Sequence, residues 1–286
     1  MGLVKTNYSR GNNGLKKSMS FNSLLLCGAG KMGEALLNGW LSSGIDHEKI
    51  YVFEPNPSKW LTSLVEKGLN LNFKISQNPE VCVIAVKPQK IDELLLQNNF
   101  KNYSSTLFVS IAAGVKIKKF NQLLDKKTAI VRVMPNTPVT IKKGVSCLVS
   151  NENTSERQLE LVELLFSVVG NTFRLSNESQ LDAVTAVSGS GPAYVFYLIE
   201  VLTSAGIELG LEPTLANKLA RLTVSGSGIL AEGSDVTVDQ LRENVTSPNG
   251  TTEAALKILM DSKTGLRPLI HQTVLAAFSR SKELGL

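Results

Sequence analysis

Three glycines, Gly28, Gly30 and Gly33, stand as GxGxxG in the run LLLCGAGKMGEALLNGW, between an apolar stretch and a segment of helical periodicity. That placement commits the chain to a strand, a tight turn and a helix in immediate succession. Gly28 lets the chain turn sharply, Gly30 lets the backbone approach a pyrophosphate, and Gly33 lets the helix pack close on the strand. The helix N-terminus then offers free N–H groups to an anion. The plain alternative is a glycine turn that serves packing alone. Against it stands an acid at the end of the second strand-like run, Glu54 in YVFEPNPSKW, where a carboxylate meets the adenosine ribose hydroxyls of a dinucleotide. Its charge repels a 2′-phosphate, and the nearby loop supplies Asn56, Ser58 and Lys59 but no arginine, so the pattern leans to NADH over NADPH. The opposite reading stays open: a Glu54 turned outward leaves Asn56 and Ser58 to hold a phosphate.

From Phe21 to about Asn177, short β-rich runs alternate with helix-period segments. The strand-like runs are Leu24 to Cys27, Lys49 to Phe53, Val81 to Val86, Leu107 to Ile111, Ala129 to Met134 and Val145 to Val149. Glu34 to Leu41 and Glu156 to Val168 are among the helical segments between them. The pattern predicts an α/β fold, a Rossmann-type doubly wound sheet over residues 21–177. After Asn177 the strand-like runs nearly vanish. ESQLDAVTAV, PAYVFYLIEVLTSAGIELG, EPTLANKLARLTVSGSGILAEG and TTEAALKILMDS read as successive helices, so residues 178–286 are expected to form an all-helical domain.

The net charge of +5 suggests nucleic acid only until its location is considered. Residues 1–20 carry Lys5, Arg10, Lys16 and Lys17 with no acid, and in the rest of the chain the charges nearly balance. This tail is expected to be a disordered basic extension, and no aromatic-interleaved basic stripe suited to stacking bases follows it. No apolar run approaches the roughly 20 residues that span a bilayer, so neither a membrane nor a nucleic acid is an expected partner. Cys27, Cys82 and Cys147 lie far apart in apolar runs, without the close pairing of a zinc site or a disulfide framework. They read as reduced core residues of a cytoplasmic protein, and no metal is expected.

Five further motifs follow in order: VIAVKPQ (Val83 to Gln89), VSIAAGV (Val109 to Val115), VRVMPNTP (Val131 to Pro138), DAVTAVSGSGPAYVF (Asp182 to Phe196) and VTSPNGTTEAAL (Val245 to Leu256). With the glycine turn they resemble pyrroline-5-carboxylate reductase from about Phe21 to the end, and the last two are much more specific than the glycine turn. The resemblance implies reduction of the cyclic imine 1-pyrroline-5-carboxylate to L-proline by hydride transfer from NADPH or NADH, the last step of proline synthesis. It also implies that the helical domains of two subunits interlock near the substrate site. The apolar faces of PAYVFYLIEVL and LANKLARLTVSGSGIL agree, since a lone subunit would leave them bare; a homodimer or a larger assembly of dimers is expected.

The resemblance also distributes roles. Gly28, Gly30, Lys31, Met32, Gly33, Glu54 and Asn56 are the expected coenzyme contacts on the adenosine and phosphate side. Val86, Lys87, Pro88, Ala112 and Asn136 are expected on the nicotinamide side. In SPNGTT, Ser247 and the amides of Asn249, Gly250, Thr251 and Thr252 are implied to take the substrate carboxylate, while Thr252 aims its hydroxyl at the ring nitrogen. A Ser/Thr-rich loop entering a helix suits an anion on physical grounds as well. The bland alternative, Thr246 or Ser247 capping that helix, is compatible with it. Many relatives carry Gly where this chain has Asn249; Asn tolerates left-handed backbone, so the turn is expected to survive. Lys87 is read as catalytic with Thr252, either complementing the carboxylate or orienting the coenzyme ribose, with a merely solvated lysine as the alternative.

The acid inventory is poor. Hydride transfer to a ketone usually calls for a proton donor, often histidine or lysine, yet His47 and His271 lie outside every motif. An imine nitrogen can arrive already protonated, so positioning and electrostatics suffice. A β-hydroxyacid dehydrogenase of similar shape would want a helix-borne lysine near SGSGPAY, and none stands out. A dinucleotide-binding scaffold without catalysis would have no need of Ser247, Thr252 and Lys87.

Overall fold

The computed structural model describes residues 21–73, 78–98 and 100–285. Residues 1–20, read above as a basic extension, lie outside the described residues.

Eight strands form one sheet: β1 (Leu24–Cys27), β2 (Ile50–Phe53), β3 (Asn70–Leu71), β4 (Val81–Ile84), β5 (Leu107–Ser110), β6 (Ile130–Met134), β7 (Gly144–Ser150) and β8 (Gly170–Arg174). Their order is β3-β2-β1-β4-β5-β6-β7-β8. Neighbours run parallel except β6 and β7. This is a doubly wound Rossmann-like sheet, and the chain changes direction between β1 and β4, the place where such sheets bind ligands. The central strands LLLC, VCVI and LFVS are buried along their whole length. Helices on both faces require that, and alternate residues feed two separate cores. Leu24, Leu26, Val81, Val83, Leu107 and Val109 enter one core; Leu25, Cys27, Cys82, Ile84 and Phe108 enter the other.

Helices α1 (Lys31–Ser42), α2 (Lys59–Ser63), α3 (Ile91–Gln97), α4 (Ile117–Leu123) and α5 (Glu156–Ser167) lie between these strands in the chain. Trp40 of α1 is fully buried, and its indole N–H donates to the Leu165 carbonyl of α5 at 2.8 Å, which ties two helices of the first core together. A capping box, with Ser155 and Gln158 serving each other's orphan amides, starts α5. The sequence reading did not mark β3 or β8. Arg174 pins β8 through a two-pronged bond to Glu163 of α5, both contacts at 2.7 Å, and these hydrogen bonds raise the pKa of its guanidinium.

The remaining helices are α6 (Gln180–Val184), α7 (Gly191–Glu208), α8 (Pro213–Gly233), α9 (Val238–Asn244), α10 (Thr251–Leu259) and α11 (Leu266–Leu284), with a π-helical turn over Thr185–Gly189 after α6. The chain divides into one unit of residues 1–189 with 278–286 and a second of 190–277. The division therefore falls at Gly189, where 177 was expected. Leu181 and Val184 of α6 pack with Cys147, Val149 and Phe173 of the sheet, which draws this segment into the first unit.

Prolines open α7 and α8, as their fixed φ favours. In the single chain α7 buries none of its residues, and α8 buries only Ala216 and Ala220. Phe196, Tyr197, Leu222 and Ile229 are all more than half exposed. Among the described residues, no helix is long and apolar enough to cross a membrane.

Candidate active site

Register brings the motifs of the first unit together. Cys27 pairs with both Phe53 and Ile84, Ile84 with Ser110, and Ser110 with Arg132, so four strand ends and the middle of β6 form one row. The residues just beyond that row belong to the glycine turn, EPN, VKPQ and IAAG, with MPN two residues further along β6. Motifs more than a hundred residues apart in the chain therefore leave the sheet along one edge.

At Gly28 the backbone has φ +94°, and an added Cβ would lie 2.8 Å from the Ala85 carbonyl oxygen. At Gly33 a Cβ would collide with the Gly28 carbonyl oxygen. Gly30 is the N-cap of α1, without a side-chain cap, and nothing lies within 4 Å of a Cβ added there. The start of α1 is uncapped and the approach to Gly30 is open, which suits a dinucleotide pyrophosphate in charge.

Glu54 bends back toward this turn. Its carboxylate accepts from the Ala29 amide at 2.8 Å and from the Asn56 amide at 3.0 Å. Asn72, with φ 56°, accepts from the Glu54 amide and donates to the Glu54 carbonyl, each at 2.9 Å. Ser58 is turned to Glu34, 2.5 Å away, and to its own helix start. Ala29 and Asn72 were missed by the sequence reading, because their part depends on tertiary contacts that no motif encodes.

Lys87 is exposed where VKPQ leaves β4, and its ammonium has no partner among the described residues. Val86 is half-buried, Pro88 opens a 3₁₀ turn, and Ala112 is buried just past β5. Asn136 is 8% exposed and its amide is committed at both ends: Oδ1 accepts from the Val145 amide at 2.8 Å, and Nδ2 donates to the Ser188 carbonyl at 3.1 Å. It braces the end of β6, a role its motif did not disclose. Cys27 and Cys82 lie side by side with sulfurs 3.9 Å apart, and burial pushes the Cys82 thiol up, keeping it protonated. Among the described residues no group of three metal-ligating side chains occurs.

The second unit carries SPNGTT. The Gly250 amide donates to the Ser247 carbonyl at 3.0 Å and Asn249 has φ 59°. Pro248 and Asn249 therefore form the centre of a tight turn whose third residue needs a left-handed backbone, which Asn accepts. Gly250 then caps α10 with no side-chain hydrogen bond. Neither Thr246 nor Ser247 caps this helix; the Thr246 hydroxyl donates to the Arg242 carbonyl instead, at 2.7 Å. The Asn249 amide goes to the Glu253 carboxylate at 2.6 Å, so the Asn249 and Gly250 amides, expected above at the substrate, are spent inside the turn. What stays open is the first turn of α10, with the Thr251 and Thr252 amides and the hydroxyls of Ser247, Thr251 and Thr252, for which the described residues supply no partner.

The family profile for pyrroline-5-carboxylate reductase dimerisation matches residues 178–284, and that for F420-dependent NADP oxidoreductases matches residues 24–114. A pyrroline-5-carboxylate reductase of Pseudomonas aeruginosa is 37% identical over 93% of this chain and 98% of its own. Among solved structures, the Coxiella burnetii pyrroline-5-carboxylate reductase is 34% identical with a TM-score of 0.85, covering 93% of this chain and 100% of its own. The Plasmodium falciparum pyrroline carboxylate reductase, solved with NADP bound, is 32% identical with a TM-score of 0.80 and the same coverage.

Proposed function

The chain belongs to the pyrroline-5-carboxylate reductase family, and we propose that its first unit holds the coenzyme while SPNGTT in its second holds the substrate. The reaction is the reduction of 1-pyrroline-5-carboxylate to L-proline with NADH or NADPH, in proline biosynthesis. The observation that carries the assignment is the register that lines up Cys27, Phe53, Ile84 and Ser110 and so gathers the motifs on one edge.

Gly28, Gly30, Lys31, Met32 and Gly33 receive the pyrophosphate at the uncapped start of α1. Glu54 and Asn56 face the adenosine ribose, and the Glu54 carboxylate, fixed by the Ala29 and Asn56 amides, favours NADH by opposing a 2′-phosphate. Val86, Lys87, Pro88 and Ala112 flank the nicotinamide, with Asn136 bracing the wall beside them. A reduced nicotinamide supplies the hydride when bound.

The protein's own part is orientation. Ser247 and the Thr251 and Thr252 amides take the ring carboxylate, and the Thr252 hydroxyl meets the ring nitrogen. Lys87 contributes positive charge. A protonated imine needs no strong acid, in keeping with His47 and His271 lying outside every motif.

The bare faces of α7 and α8 support a homodimer or a larger assembly built from dimers. Three unpaired, buried cysteines favour a reducing, cytoplasmic setting. The direct test is product analysis: the enzyme with NADH and 1-pyrroline-5-carboxylate should yield L-proline stoichiometric with NADH consumed. Oxidation of NADH without proline would overturn the assignment.

A further inference from the structure

From Phe278 onward α11 belongs to the first unit, although most of that helix belongs to the second. Its end is fastened there at two places. Ser281, only 3% exposed, donates its hydroxyl to Asp182 of α6 at 2.7 Å. Leu284 and Gly285 lie against Gly114, which has φ +79°; a Cβ on Gly114 would sit 2.9 Å from the Leu284 carbonyl carbon and 3.1 Å from the Gly285 nitrogen. Reciprocally, a Cβ on Gly285 would strike the Gly114 carbonyl oxygen. Two glycine backbones thus meet where neither has room for a side chain.

Gly114 ends SIAAG, the turn by which β5 leaves the coenzyme edge. Residues 112–114 are Ala, Ala and Gly, too small to lock the turn with their own side chains, and glycine leaves the backbone loose unless something outside holds it. On its far side the chain is already held: the Ile117 amide donates to Glu178 at 2.7 Å, and the same carboxylate oxygen is paired with the buried Arg132, also at 2.7 Å. The C-terminal backbone closes the other side.

We propose that residues 281–285 act as a clasp that positions the turn at residues 111–114 for the coenzyme, making Ser281 and Gly285 positioning residues for the reaction. The proposal rests on the reading of this turn as part of the coenzyme wall. It extends the functional machinery to a segment outside every motif.

The test compares the wild type with three variants: a chain lacking residues 281–286, full-length Gly285→Val and full-length Ser281→Ala. For each, NADH binding is followed by fluorescence, KM for coenzyme and imine and kcat by steady-state rates, and Tm by circular dichroism. The clasp predicts a rise of about tenfold in the NADH Kd and KM for the truncation and Gly285→Val, and a smaller rise in the same direction for Ser281→Ala. Imine KM and kcat at saturating NADH should stay within about twofold. Unchanged NADH binding in the folded variants overturns the proposal, as does a fall in kcat and both affinities together that tracks Tm. If the truncated chain fails to fold, the two full-length variants decide by the same criteria. Because NADH binding is read without substrate, a wild type that binds NADH but does not reduce the imine would count against the reaction and leave the clasp to be judged on binding alone.

Discussion

Thr252 stands in the first turn of α10 with a hydroxyl that no described residue occupies, beside two helix amides that are equally open. Its assigned partner is the ring nitrogen and not the coenzyme. Thr252→Ala should therefore lower kcat roughly 10²-fold, the usual cost of losing a group that stabilises a transition state, and leave NADH binding by fluorescence within about twofold. An equal loss of NADH affinity would show the hydroxyl to be misassigned. Glu54 permits a sharper expectation than its motif did, because the carboxylate proposed to oppose a 2′-phosphate also fastens the glycine turn through the Ala29 amide. Glu54→Gln keeps an acceptor and removes the charge. The ratio of NADPH to NADH kcat/KM should rise about tenfold, equivalent to about 1.4 kcal/mol, and an unchanged ratio would remove Glu54 from the ribose site. The residue types at these positions were legible in the sequence. Their partners were not: Asn72 reaches Glu54 only once β3 lies beside β2, and the Asn249 amide is lost to Glu253 only once the turn has formed.

At the scale of elements, legibility followed burial. Strands covered on both faces read as unbroken apolar runs, and β1, β4 and β5 lie where those runs predicted. The edge strands did not. β3 has two residues, and β8 reads GNTFR, without an apolar period; β8 stays in place through its ladder with β7 and the Arg174 pairing to Glu163. α9 has seven residues and buries none of them, so it too left no periodic trace. Asn136 joins the end of β6 to β7 and the π-helical turn by two hydrogen bonds from its side-chain amide to backbone groups, both partly buried. Asn136→Ala strands the Val145 amide and the Ser188 carbonyl, and should cost about 1–3 kcal/mol of stability in urea unfolding. A loss below about 0.5 kcal/mol would mean that water replaces both bonds freely.

At the scale of the molecule, the single chain cannot be the finished protein. α7 exposes Val195, Phe196, Tyr197, Leu198, Val201 and Leu202 on more than one side, a larger apolar surface than a monomer normally leaves in water. Sedimentation equilibrium should give a mass of at least twice the 30.9 kDa chain, and a monomer at every concentration would contradict the dimer. That surface was visible in sequence as the apolar faces of PAYVFYLIEVL and LANKLARLTVSGSGIL, which a lone subunit would leave bare. The placement of the last residues of α11 in the first unit was not visible, because Ser281 and Gly285 carry no pattern of their own. Reduction of a cyclic imine with a nicotinamide coenzyme is tested by the initial rate of coenzyme oxidation on adding 1-pyrroline-5-carboxylate, with NADH and NADPH measured side by side. The rate should be saturable with both coenzymes, with higher kcat/KM for NADH and L-proline as the product. No imine-dependent rate with either coenzyme, from folded protein that binds NADH, would contradict it.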